Sequence, residues 1–332
     1  MHEPNLLVGD IGGTNARFAL ANADGPGFSN ELILACDDYS TAEQGIEEYL
    51  ERSGCGRPDV ICLAVAGPVV DGVVRFTNNH WVVDSNVLES RFSTASVQLL
   101  NDFEAIAYSL PLLDENDVAG IGPVPPATGT KRDATFAVLG PGTGLGAGGL
   151  LKRASGIYPV VGEGGHLGFA PESKQQFKVL EQLRGRFERV SNERLVSGPG
   201  LENIYWALGR IHGQPGADIE AAEIFARVLA REDALATESV EMFFEALGQV
   251  AGNLALELGA FDGVYLAGGI VKRYPDLLKS GAFRTGFENK GRHRALMQRV
   301  PTSLILHPQP GLLGASYFAR ELLKKSNCRD TG

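Results

Sequence analysis

The sequence predicts an α/β fold divided into two domains, on three observations. Apolar runs of strand length, at 6–8, 60–65 and 96–100, alternate with segments of helical period. Three glycine-rich phrases, at 9–14, 140–149 and 267–269, each follow such a run. The chain of 332 residues is also too long for one simple core.

The first phrase organises the chain. An apolar run at 6–8 enters Gly9-Asp-Ile-Gly-Gly-Thr14, after which Ala16, Phe18 and Leu20 alternate with Asn15, Arg17 and Ala19. That pattern predicts strand, tight turn, strand. Gly12 and Gly13 let the backbone approach another object closely. Successive N–H groups in such a turn form an anion site suited to phosphate. Asp10 is placed to hold Mg²⁺, directly or through water, and Thr14 adds a hydroxyl. No Gly-Lys-Ser/Thr follows, so the phrase is not a Walker loop. A strand rather than a helix comes next, so it is not a dinucleotide fingerprint either.

Further along, 31–36 is a third candidate strand, and Thr41-Ala-Glu-Gln44 fits a capping box opening a helix with Ile46, Tyr49 and Leu50 on one face. The run 60–65 suits a strand buried on both faces. A short strand at 72–76 leads into Thr77-Asn-Asn-His-Trp81, and the strand 96–100 delivers Asn101-Asp102 to a helix over 103–110. The Pro-, Gly- and Thr-rich stretch 120–133 suits a domain crossing. A strand at 135–139 opens the second glycine phrase; helices are expected over 175–190, from 201 to a Gly213 cap, over 221–235 and over 239–261. The segment 263–270 reads as a strand ending on two glycines, 303–306 as another, and 310–324 as a last helix. The expected domains are 1–112 with 303–332, and 113–302.

Composition narrows the function. With 44% hydrophobic and 21% charged residues the chain is an ordinary globular protein. A net charge of −10 argues against a nucleic-acid partner, which needs clustered Lys and Arg. Cys36, Cys55, Cys62 and Cys328 show no paired spacing and read as reduced thiols rather than a disulfide frame or zinc site. No signal peptide and no membrane-spanning apolar run is visible, so the expected location is the cytoplasm.

Three glycine phrases after strands favour a nucleotide triphosphate site over three separate structural turns, because triphosphate charge needs backbone donors on several sides. Asp102 follows an apolar strand, where α/β sheets bind ligands. It is placed to accept the proton of an attacking hydroxyl. Asn101-Asp-Phe-Glu104 is equally a helix start, with Asn101 as cap and Glu104 as its reciprocal partner; the two readings are compatible. Glu163, His166 and Glu193 lie in turn segments and suit the paired hydrogen bonds of a polyol. Zinc at Glu163 and His166 is disfavoured, since no Cys or second His stands nearby.

Together, Gly9-Asp-Ile-Gly-Gly-Thr14, Asn101-Asp-Phe103, Gly140-Pro-Gly-Thr-Gly-Leu-Gly146, Gly162-Glu-Gly-Gly-His166, Glu193-Arg-Leu-Val-Ser-Gly-Pro-Gly200, Ala267-Gly-Gly-Ile270 and Pro310-Gly-Leu-Leu-Gly314 resemble the bacterial glucokinases, in order and over nearly the whole chain. The resemblance implies an actin-like ATPase (ribonuclease H-like) fold of two α/β domains with a cleft between them. It also implies a cytoplasmic homodimer that phosphorylates glucose at the 6-hydroxyl with MgATP, the first step of glycolysis. ATP would be held by Gly9, Asp10, Ile11, Gly12, Gly13 and Thr14, by Gly142, Thr143 and Gly144, and by Gly268 and Gly269, with Mg²⁺ at Asp10. Asp102 would be the base, and Asn101, Asp102, Glu163, His166 and Glu193 would hold glucose. The cysteine-rich zinc motif of the related repressor-and-kinase family is lacking, which points to the zinc-free group. At position 79 this chain has Asn where the family often has His, which leaves the role of the 77–81 loop open. Rival readings are another hexose as the main substrate, a phosphohydrolase of the same fold, and a sugar-responsive regulator. The regulator is disfavoured by the absence of a basic helix-turn-helix segment.

Overall fold

The computed structural model describes residues 4–76, 78–94, 96–126 and 132–329, the side chains of 326–329 apart. The chain divides into two units, Met1–Leu113 with His307–Gly332, and Asp114–Leu306.

In unit 1, seven strands form: β1 (Leu6–Ile11), β2 (Asn15–Ala21), β3 (Phe28–Ala35), β4 (Val60–Val65), β5 (Val73–Arg75), β6 (Val82–Asp84) and β7 (Val97–Asn101). Five make a sheet in the order β3-β2-β1-β4-β7, while β5 and β6 pair separately. The first three strands meander antiparallel; β4 and β7 run parallel to β1. Every residue of β4 is buried, as a central parallel strand covered on both faces requires. One face packs Phe18, Ile46, Tyr49, Ile61 and Trp81; each fully buried side chain of this size contributes about 1.5–3 kcal/mol. On the other face the C-terminal helix Pro310–Arg329 packs against β1, β4 and the helix Asp102–Ser109. Its approach is close enough that Tyr108 stacks on Tyr317 with centroids 5.9 Å apart.

Unit 2 continues with β8 (Val118–Gly120), β9 (Ala134–Pro141), β10 (Leu145–Arg153), β11 (Gly156–Gly162), β12 (Gly263–Leu266) and β13 (Thr302–Ile305), in the order β11-β10-β9-β12-β13-β8. The first five repeat the unit 1 pattern: an antiparallel meander followed by two parallel strands. The two glycine phrases thus occupy the same place, the first turn of the meander, in each unit. The core lies between this sheet and a helical layer that includes Gly198–Ile211 and Ala234–Leu258, with Leu139, Leu201, Leu208, Phe243 and Leu247 fully buried.

Several local readings need correction. The strand expected at 303–306 and placed with the first domain spans Thr302–Ile305 and belongs to the second sheet, where Val264, Tyr265 and Leu266 pair with it. The crossing stretch 120–133 begins inside that sheet, since Gly120 pairs with Ser303; its residues 127–131 lie outside the described residues. The expected helix 221–235 stops at Ala230, where Arg231 turns left-handed (φ 59°), and Asp233 caps the next helix by accepting from Ala236 N–H at 3.0 Å. The helix expected over 175–190 ends at Arg184, ahead of Gly185. The reading of 263–270 as one strand also fails: a short helix, Gly269–Arg273, begins at the second glycine. Cys36, Cys55 and Cys62 are free thiols; the Cys328 side chain lies outside the described residues. Among those residues no helix is long and apolar enough to cross a membrane.

Candidate active site

Parallel pairing puts the unit 1 residues on one sheet edge. Ile11 pairs with Val65, and Val65 pairs with Asn101, so three strand ends lie in one row. At the usual strand spacing, about 10 Å separates the ends of β1 and β7. The residues that follow, Gly12-Gly13-Thr14 and Asp102, therefore share the carboxyl edge of the sheet, where such folds bind ligands.

The first glycine turn is closed by Gly12 N–H donating to Asn15 C=O at 2.9 Å. Gly12, Gly13 and Thr14 are at least partly exposed. Gly9 and Ile11 are not at the turn. Gly9 lies within β1, where a Cβ would stand 2.7 Å from Leu63, and the Ile11 side chain is core. Both support the turn by packing. Asp10 pairs across the hairpin with Arg17. Burial raises its carboxyl pKa, and the Arg17 charge opposes the rise. A carboxylate so recessed gains from a nearby dication. A lone carboxylate also suits Mg²⁺, which keeps several waters and takes other ligands from phosphate. No cluster of three or more His, Cys, Asp or Glu side chains placed to hold a metal ion occurs among the described residues.

At the end of β7 both readings of Asn101-Asp-Phe-Glu104 coexist. Phe103 N–H donates to Asn101 Oδ1 at 2.9 Å, and Asn101 N–H donates to Glu104 Oε2 at 3.3 Å, completing a capping box. Asn101 Nδ2 also donates to Gly67 C=O at 3.2 Å, which ties β7 to the loop after β4. The Asn101 amide thus has a protein partner at each end and would share its second proton and second lone pair with a ligand. Asp102 is the first residue of the helix, partly exposed, with Oδ1 accepting from Phe103 N–H at 2.9 Å. Burial raises the pKa of Glu104 beneath it.

Unit 2 brings together a second set. Thr143 tips the β9–β10 turn, closed by Gly142 N–H donating to Gly144 C=O at 2.8 Å. Gly142 C=O in turn accepts from Gly198 N–H at the start of the next helix. Glu193 Oε2 accepts from Leu145 N–H at 2.9 Å, so its carboxylate lies against the turn. Glu163 and His166, 4.0 Å apart and largely exposed, stand just before and at the end of the short 3₁₀ turn Gly164–His166. Asn192 joins that turn to the Glu193 segment by donating to Leu167 C=O and to Gly164 C=O. Glu163, His166 and Glu193 therefore sit on one connected group of loops beside Gly142-Thr143-Gly144. Gly268 also packs here: with φ 95° and a Cβ position 2.6 Å from Pro141 C=O, only glycine fits. Ala267 N–H donates to Leu139 C=O, which places Gly268 and Gly269 at the same strand edge as the turn.

Sequence reasoning gave no role to Gly67 or Arg17 and left that of Asn79 open. Asn79 Nδ2 donates to Gly12 C=O at 3.1 Å.

A family model described as Glucokinase matches residues 7–322. The glucokinase of Caulobacter sp. (strain K31) is 42% identical over 312 residues, 93% of each chain. That of Xanthomonas oryzae pv. oryzae (strain MAFF 311018) is 39% identical over 324 residues, 95% of this chain and 94% of the other. Among solved structures, a glucokinase from an Antarctic psychrotroph superposes with a TM-score of 0.88 at 32% identity, covering 96% of this chain and 100% of that one.

Proposed function

The chain belongs to the glucokinase family and is an ATP-dependent hexose kinase of the actin-like ATPase fold, and from that premise we propose that it transfers the γ-phosphoryl group of MgATP to the 6-hydroxyl of D-glucose. The observation that carries the site assignment is the row Ile11–Val65–Asn101, which supports a phosphate turn and a carboxylate on one edge of one sheet.

In this reading Asp102 accepts the 6-hydroxyl proton as the oxygen attacks phosphorus, since an alcohol is a poor nucleophile until its proton has somewhere to go. Its Oδ1 is oriented by Phe103 N–H, and the capping box fixes the backbone on either side. Asn101, Glu163, His166 and Glu193 hold the remaining hydroxyls. The N–H groups of Gly13 and Thr14 and of Thr143 and Gly144 bind phosphate oxygens, while those of Gly12 and Gly142 close the two turns, and Gly268-Gly269 lie beside the nucleoside. Asp10 would hold Mg²⁺, directly or through water, and the ion would supply charge neutralisation at the transferring phosphates. The protein supplies placement and charge stabilisation rather than a covalent intermediate. The family relationship also supports a cytoplasmic homodimer acting at the first step of glycolysis, checked by sedimentation at micromolar concentration.

A coupled assay over a panel of hexoses and phosphoryl donors tests the reading. ATP consumption should depend on hexose, with glucose giving the highest kcat/KM. Consumption without sugar would instead mark a hydrolase.

A further inference from the structure

The segment after β5, left without a role by the motifs, reaches the first glycine turn. Asn79 Nδ2 donates to Gly12 C=O at 3.1 Å, across 67 residues of chain. Its other end is fixed, because Asn79 Oδ1 accepts from Trp81 N–H at 2.9 Å. With Oδ1 so engaged, the amide nitrogen must face Gly12. Trp81 is itself immobilised, with its ring buried and its indole N–H donating to Tyr39 C=O at 2.8 Å. Cys36 adds a second anchor: its N–H donates to Thr14 C=O at 2.9 Å, and its buried thiol lies 4.0 Å from the same Gly12 oxygen. Asn78 packs on Gly13 so closely that a Cβ there would come within 3.2 Å of the Asn78 Cβ.

These contacts constrain direction. The described peptides are all trans, so in the Gly12–Gly13 peptide the C=O and N–H point opposite ways. A Gly12 carbonyl tied down to Asn79 and Cys36 turns the Gly13 N–H to the other side of the turn. We propose that Asn79 is a positioning residue for nucleotide phosphate: by holding the Gly12 carbonyl, it aims the Gly13 N–H at a phosphate oxygen. This rests on the reading of 12–14 as the phosphate turn. Without the anchor the peptide is free to flip, and a carbonyl facing phosphate would repel it.

Asn79→Asp tests this most sharply, because an acceptor then faces the Gly12 oxygen. Asn79→Ala, which removes the donor without adding charge, serves if the aspartate variant does not fold. For whichever variant melts like the wild type, glucose affinity is measured by calorimetry, KM for ATP and kcat by coupled assay, and ADP and adenosine as competitors of ATP. The expected result is a KM for ATP raised about tenfold with reduced kcat, the loss of one partly buried hydrogen-bond partner. Glucose and adenosine affinities stay unchanged, so the defect lies on the phosphates. Unchanged ATP kinetics, or a loss shared equally by glucose and adenosine, overturns the proposal. If wild-type protein binds ADP no better than adenosine, the phosphate-turn reading fails first and the proposal falls with it.

Discussion

Glu193 Oε2 accepts a hydrogen bond from Leu145 N–H at 2.9 Å, so a carboxylate assigned to the sugar also braces the second glycine turn. The same oxygen stands 2.6 Å from where a Cβ on Gly144 would be, so a side chain at 144 would push the carboxylate off the turn.

Glu193 substitutions should therefore separate two roles. Glu193→Gln keeps an acceptor for Leu145 and loses only the charge, so KM for ATP stays near wild type while glucose binding weakens. Glu193→Ala removes both, with a loss in kcat/KM of about 10–100-fold and a raised KM for ATP, since hydrogen bonds to charged groups are worth about 1.5–3 kcal/mol. Steady-state kinetics in both substrates checks this.

Gly268→Ala should cost stability as well as activity. The residue holds φ 95° and a Cβ would meet Pro141 C=O at 2.6 Å. Strain of this kind costs on the order of 1–3 kcal/mol, read as a lower urea midpoint with unchanged slope.

Asp10→Asn should raise the Mg²⁺ concentration for half-maximal activity, while chelation of Mg²⁺ abolishes turnover in wild type. A titration of activity against free Mg²⁺ measures both.

Glu104 gives a pH signature in stability. Burial raises its folded pKa above the ordinary glutamate value, so the folded state holds the proton more tightly than the unfolded chain does. Its favourable contribution is fully present below the unfolded pKa of about 4.3 and is lost as pH rises through the folded value. Glu104→Gln stays neutral throughout and keeps an oxygen for Asn101 N–H. Wild type should accordingly lose ground to this variant as pH rises through that window, in denaturant melts at stepped pH.

Much of this was legible in the sequence because it is local. The Gly12-Gly13 turn, the β4 run and the Asn101–Glu104 capping box depend on residues within a few positions of one another, where periodicity and cap chemistry act. The tie from Asn79 to Gly12 crosses 67 residues and that from Asn101 to Gly67 crosses 34, so no local pattern announces either. Strand 302–305 misled for the same reason: its partner in β12 lies far back in the chain, and only pairing assigns it to a sheet. The packing of Gly9 against Leu63 of β4 is likewise non-local, and the motif alone does not announce it.

The most direct test of the whole account is single-turnover phosphoryl transfer by Asp102→Asn at saturating glucose and MgATP. Loss of the base should slow transfer by about 10²–10⁴-fold, with glucose affinity largely retained. Transfer at a near-normal rate would contradict the account and leave Asp102 as the first residue of a helix and nothing more.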